Sequence, residues 1–236
     1  MTYEGLRHAL AEEGVVLSED QLQSLKLYID LLSAANQRMN LTAIEDEGEM
    51  VRKHLLDCLM VVPHIVAQGA MLDLGSGAGL PGIPLAVAVP QLRVTLLDSV
   101  GKKVAFLRDT VKEMGLSDRV EAVSGRAEQT GHALHMRESY DMVISRAVAR
   151  LNVLSEYCLP FVRVGGAFLA MKGAAGQHEA AEASEAISLL GGRIASVRQW
   201  QLPYAGEQRS LIIIEKIRNT PPGYPRREGV PARKPL

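Results

Sequence analysis

Leu72-Asp73-Leu74-Gly75-Ser76-Gly77-Ala78-Gly79-Leu80-Pro81-Gly82-Ile83-Pro84 joins a short apolar run to a stretch with helical character. Glycines here let backbone pass close beneath a ligand, and the following helix offers free N–H groups. A turn of this kind sits at the carboxyl edge of an open α/β sheet, where ligands bind. Gly77 to Gly82 matches the dinucleotide pattern G-x-G-x-x-G letter for letter, a weak signal by itself. The register is wrong for nicotinamide: the run ends at Leu74, so the count starts at Gly75 and its third position is Leu80. An acid, Asp73, stands two residues before that first glycine. A second acid, Asp98, closes the next apolar run 21 residues after Gly77, where a carboxylate can accept both hydroxyls of a ribose.

Outward from the loop the chain alternates. Strands are expected at 70–74, 93–98, 120–123, 140–145 and 167–171, with helices at 83–89, 102–114 and 151–162 between them. An Ala/Glu-rich helix runs from Gly176 to Leu190, and two more strands follow at 193–200 and 209–215. Only the Pro203–Glu207 turn separates the last two, so an antiparallel hairpin is expected. Before the loop, Ser18-Glu19-Asp20-Gln21 is a capping-box pattern, with Leu22, Leu25, Ile29 and Leu32 at helical spacing behind it. Helices are expected at 4–13, 18–39 and 47–62, which makes residues 1–65 a helical extension. The α/β domain spans 66–217, and 218–236 is a Pro-rich tail expected to form neither helix nor strand.

The chain has 236 residues and is 47% hydrophobic and 22% charged, so it folds around a sizeable core. Cys58 and Cys158 belong to no C-x-x-C pair and no zinc spacing, and both read as core residues of a protein at home in a reducing cytoplasm. Neither a signal peptide nor a membrane span is expected, and no metal site. The formal net charge of −1 hides an asymmetry, because residues 216–236 hold six Lys/Arg against Glu228 alone. A polyanion binder would use such a tail; a solvated terminus is the alternative.

Acid-x-G-x-G-x-G resembles the first motif of class I methyltransferases. The rest of the chain resembles the RsmG (GidB) family of bacterial 16S rRNA guanine-N7 methyltransferases. Asn40-Leu41-Thr42, His54 to Asp57, Leu72 to Pro84, Asp98-Ser99 with Lys102-Lys103, Gly125 to Glu128, Ser145-Arg146-Ala147, Met171 to Gly173 and Tyr224 to Arg227 carry the likeness. Lys-Lys at 102–103 stands where Lys-Arg is expected.

The resemblance implies a Rossmann-like class I methyltransferase fold and S-adenosylmethionine as cofactor. The expected substrate is 16S rRNA or the small ribosomal subunit, acted on by a monomer. It places Gly75, Gly77 and Leu80 along the methionine half of the cofactor, Asp98 at the ribose, Ala127 and Glu128 at the adenine, and Arg146 facing cofactor and substrate. Asp73 would organise the loop or hold the ammonium. Lys102, Lys103, Lys172, Arg226 and Arg227 would meet RNA phosphates.

Arg146 closes an expected strand, where an unpaired Arg is seldom core; an ion pair to Asp141 or Glu128 is the alternative. His54 and Asp57, at i and i+3, read as hydrogen-bonding groups that dock the helical extension. Trp200, Tyr204 and Tyr224 are the stacking candidates for a flipped base. Guanine N7 already carries a free lone pair, so positioning and electrostatics could suffice, and no general base is assigned. The motifs of exocyclic-amine and cytosine-C5 methylation are missing. Three alternatives remain open: a methyltransferase acting on another RNA or a small molecule, an NAD-dependent oxidoreductase, and a non-catalytic RNA-binding module that keeps the fold, against which the intact glycine loop argues.

Overall fold

A computed structural model describes residues 1–204 and 206–236. Seven strands form one sheet in the order β3-β2-β1-β4-β5-β7-β6. They are β1 (Gly69–Leu74), β2 (Leu92–Asp98), β3 (Val120–Ser124), β4 (Tyr140–Arg146), β5 (Val162–Lys172), β6 (Gly192–Gln201) and β7 (Gln208–Lys216). The first five are parallel, and β7 runs antiparallel to both β5 and β6. This is the expected fold class.

The placement of β7 inside β6 follows from composition. Leu211, Ile212 and Ile214 are fully buried, and apolar side chains on both faces suit an interior strand. The polar residues of Arg193 to Gln201 leave β6 suited to the edge.

Adjacent residues on each strand feed opposite cores. Met71, Ile144, Leu169 and Leu211 face one cluster, and Leu72, Val143, Ala170 and Ile212 face the other. The first cluster holds α1 (Tyr3–Glu12), α2 (Glu19–Met39), α3 (Glu47–Met50) and α4 (Asp57–Leu59), with α5 (Gly82–Ala88) and α6 (Gly101–Glu113). The short α7 (Ala127–Thr130) follows β3. The second cluster holds α8 (Leu151–Cys158), α9 (Gly176–Glu182) and α10 (Ser184–Leu189).

The capping box forms: the Gln21 amide donates to the Ser18 hydroxyl at 3.2 Å and the Ser18 amide to Gln21 Oε1 at 2.8 Å. Gln21 also donates to the carbonyls of Val87 and Ala88, which ties α2 to the end of α5. Buried Tyr28 donates to the Ala78 carbonyl at 2.9 Å. The helical extension therefore shares the sheet's core and braces the glycine loop directly.

Several elements depart from the sequence reading. The helix expected over 151–162 stops at Cys158, so that β5 begins at Val162 rather than at 167. The helix expected over 47–62 carries a π-helical stretch, Val51–Leu56, between α3 and α4, and ends in a separate 3-10 turn, Val62–His64. The Ala/Glu-rich helix divides at Ala183. The tail contains a helical turn, α11 (Val230–Arg233), entered through Gly229 at φ +74° and with Pro231 inside its first turn. Ala205, in the turn between the last strands, lies outside the described residues. No described helix is long and apolar enough to cross a membrane.

Candidate active site

The carboxyl ends of β1, β2 and β3 meet at the glycine loop. Gly75, Gly77 and Gly79 take φ of +75°, +59° and +97°. Asp73, at the end of β1, is fully buried, and its Oδ2 accepts the Gly82 amide at 2.8 Å. Its Oδ1 is buried with no partner. Burial pushes its pKa up to about 7. Asp98, at the end of β2, accepts the Gly77 amide on Oδ2 at 2.9 Å and the Val100 amide on Oδ1 at 2.8 Å. Asp98 thus shapes the loop as well as facing the space beside it.

Beside the loop lies a cavity of about 180 Å³ lined by Gly75, Asp98, Ser99, Ala127, Glu128, Val148 and Tyr157, among others. The sequence-predicted residues Gly75, Asp98, Ala127 and Glu128 come together there. Asp73, Gly77, Leu80 and Arg146 do not line it: Asp73 and Leu80 are buried behind the loop, and Arg146 lies at a second cavity. Val148 and Tyr157 carry no sequence signal, because their placement depends on how the β4–α8 segment folds back over β1.

A second cavity, of about 260 Å³, opens over the ends of β4, β5 and β7. Asp57, Arg146, Ala147, Met171, Lys172, Gly173, Trp200, Arg209 and Ser210 line it. Ala147 borders this cavity and its neighbour Val148 the first, so the two lie on either side of one short segment.

Arg146 donates to Asp57 Oδ2 at 3.0 Å, and Arg209 donates to Asp57 Oδ1 at 2.9 Å. The alternative partners do not apply. Asp141, at the start of β4, pairs with Arg163 and accepts the Ala70 amide, and Glu128 accepts the Gly229 amide. Asp57 therefore docks the helical extension onto the sheet, whereas His54 bonds within the extension, to the Thr42 hydroxyl at 2.8 Å. Burial, then the charge of Arg146, pushes the His54 pKa down to about 4.

Several expected RNA contacts are already engaged inside the protein. Lys172 is mostly buried; it pairs with Glu179 at 2.8 Å and donates to the Ala149 carbonyl, which holds the segment between the cavities. Arg226 closes on Glu156, a fully buried carboxylate, with contacts of 2.6–3.1 Å. Lys216, one of the six tail cations, is buried against Glu138 at 3.2 Å, and burial lowers its pKa to about 8. Lys102 and Arg227 are exposed, and Lys103 is half-buried. Of the stacking candidates, Trp200 lines the second cavity, Tyr204 is exposed, and Tyr224 packs against the second core cluster. Both cysteines are buried, and no described group of His, Cys, Asp or Glu could hold a metal ion.

The family profile of "rRNA small subunit methyltransferase G", GidB, matches residues 21–212 of this chain. The chain belongs to this family. Relatives bearing the name Ribosomal RNA small subunit methyltransferase G share the full length. That of Alkaliphilus metalliredigens is 46% identical over 98% of this chain and 97% of its own. That of Brevibacillus brevis is 44% identical over the whole of both chains. Among solved structures, the TYW2 protein of M. jannaschii in complex with AdoMet superposes with a TM-score of 0.53 at 15% identity. It covers 70% of this chain and 76% of its own, a likeness of fold.

The family's activity, methylation of small-subunit ribosomal RNA with S-adenosylmethionine as donor, is the activity of this chain. The first cavity fits the cofactor on chemical grounds. It offers the Asp98 carboxylate beside the glycine loop, and behind the loop lies a fully buried carboxylate oxygen, Asp73 Oδ1, with no partner among the described residues.

Proposed function

We propose that this chain methylates a guanine at N7 in 16S rRNA, with the cofactor in the first cavity and the target base in the second. One observation supports this most: Asp57, the only carboxylate among the described residues lining the second cavity, has both oxygens committed to guanidinium groups. Each of its oxygens already accepts from a guanidinium, so it is held as a structural acceptor and not aimed at a substrate proton. N7 of guanine needs no proton acceptor, because its lone pair lies in the ring plane and no proton leaves as the bond to carbon forms. Bound S-adenosylmethionine supplies an electrophilic methyl group on a sulfonium. Arg146, Arg209 and Trp200 line the second cavity, and in this reading the two arginines donate to O6, the acceptor near N7, and Trp200 offers an aromatic face.

Gly75, Gly77 and Asp73 serve the methionine half, Asp98 the ribose, and Ala127 and Glu128 the adenine. Leu80 supports the loop from behind. Lys102, Lys103 and Arg227 meet RNA phosphates, while Lys172 and Arg226 act within the fold. N7 faces the deep groove of an RNA helix, so the target base enters flipped or single-stranded. Residues 1–65 form the extension, 66–217 the catalytic domain and 218–236 the tail. One chain supplies both cavities, which suits a monomer, and the substrate suits the cytoplasm.

Labelled methyl transfer to small subunits, followed by borohydride and aniline cleavage, tests the reading. Cleavage at a single guanine is expected. Label that resists cleavage would place the methyl elsewhere and sink the N7 assignment.

A pH dependence follows from Asp73. Its native pKa lies above its ordinary value of 3.8, so the stability it contributes is complete below that value and is lost as pH rises toward about 7. A cationic ligand favours the ionised form. Affinity for S-adenosylhomocysteine is therefore expected to rise from about pH 6 to about pH 8, with proton release. Calorimetry in buffers of different ionisation enthalpy reads both effects. An Asp73→Asn protein with the same pH profile would exclude Asp73 as the source.

A further inference from the structure

We infer that the C-terminal segment 218–236 is a strap that holds the adenine-side wall of the cofactor cavity, with Arg226 as its positioning residue. The inference rests on the assignment of adenine to Ala127 and Glu128. A free basic arm would leave its cations in solvent and its backbone unpartnered. This segment ties its backbone down and commits Arg226 to the fold, while Arg218, Arg227, Arg233 and Lys234 stay exposed. The Arg137 guanidinium donates to the carbonyls of Thr220, Pro221 and Tyr224, and His132 lies 2.8 Å from the Pro225 carbonyl.

The tail then closes on the residues that form the cavity. The Arg226 amide and guanidinium both bind Glu156, on α8 and adjacent to the cavity residue Tyr157. Glu228 pairs with Arg126 at 2.7 Å and accepts from Gln129 at 3.1 Å, so it holds the start of α7 and its outer face. The Gly229 amide donates to Glu128 Oε1 at 3.1 Å. Arg126, Glu128 and Tyr157 all line the cavity. Four-residue α7 has too few internal hydrogen bonds to stand alone, so its geometry depends on these external contacts.

Glu156 makes the coupling strong. Its side chain is fully buried, and Arg226 is the cation that offsets its charge. Withdrawal of Arg226 leaves that carboxylate to draw in water or shift α8, and Tyr157 moves with it. The tail thus acts on cofactor affinity through the wall, with no contact to RNA required of Arg226.

Titration of full-length protein with S-adenosylhomocysteine and with 5′-methylthioadenosine, at a temperature where all variants are folded, tests the strap. Arg226→Ala is expected to weaken both ligands about tenfold, and Arg226→Lys to recover part of the loss. Glu228→Ala, a surface change, is expected to weaken both about threefold and decides the matter if Arg226→Ala does not fold. Affinity for 16S rRNA without cofactor, and its salt slope, should stay at wild-type values in both. Ala127→Trp, which fills the cavity, separates the two readings. If it binds normally, the adenine assignment fails. If it abolishes binding while Arg226→Ala and Glu228→Ala bind like wild type, the strap is overturned. Loss of RNA affinity with unchanged ligand affinity in Arg226→Ala would likewise return the tail to an RNA arm.

Discussion

Gly77→Val is expected to give a folded protein that has lost S-adenosylhomocysteine binding by about 100-fold or more, which is about 3 kcal/mol. The nearest atom to a Cβ built at Gly77 is the Gly75 carbonyl oxygen, at 3.8 Å. The added Cβ therefore clashes with no protein atom and stands beside the loop. The positive φ of 59° costs a branched residue of order 1–3 kcal/mol, which a domain of this size can absorb.

Gly82 gives the contrast. A Cβ there would lie 2.3 Å from Leu96 Cδ2 and 2.7 Å from Asp73 Oδ2, inside the packed joint between loop and sheet. Gly82→Ala should lower the melting temperature first and binding only as a consequence. Calorimetric titration beside thermal melts separates the two. A folded Gly77→Val protein that binds the product normally would remove the loop from the cofactor site.

Asp57→Ala is expected to lower turnover on small subunits by about 100-fold, with S-adenosylhomocysteine affinity near wild type. Asp57 is 4% exposed and aligns two guanidinium groups from different strands. Without it, Arg146 and Arg209 repel across the second cavity, and neither keeps its direction. The same change frees the extension from its ionic tie to the sheet. A stability loss of about 2–3 kcal/mol should accompany it, moderated because the arginine side chains are 18% and 21% exposed. Asp57→Asn keeps the volume and one acceptor, and should fall between. Wild-type turnover in the Ala variant would remove the Asp57 cluster from the reaction.

The glycine loop and the acids that frame it were legible because their placement is local. Asp73, Gly75 and Gly77 lie on one strand–loop segment, and Asp98 ends the neighbouring strand, so spacing alone brings them together. Alternating apolar runs and helical periods likewise suffice for a mainly parallel sheet with a final hairpin, since each strand and helix signals itself within about ten residues.

The second cavity was much less legible. Arg146 was read from its place at a strand end, but Asp57 and Arg209, at its side, come from the extension and the last strand, 152 residues apart. The tail shows the same limit. Its charge suggested an RNA arm, yet Arg226 and Lys216 answer the carboxylates of buried Glu156 and half-buried Glu138.

By itself, then, the sequence determined the fold class, the glycine loop and the two acids that frame it, because these depend on backbone chemistry and short-range periodicity. The tertiary structure alone decided which charges are spent on one another and which still face a substrate. Ion pairing depends on where distant segments pack and how far they exclude water, and a linear charge count records neither.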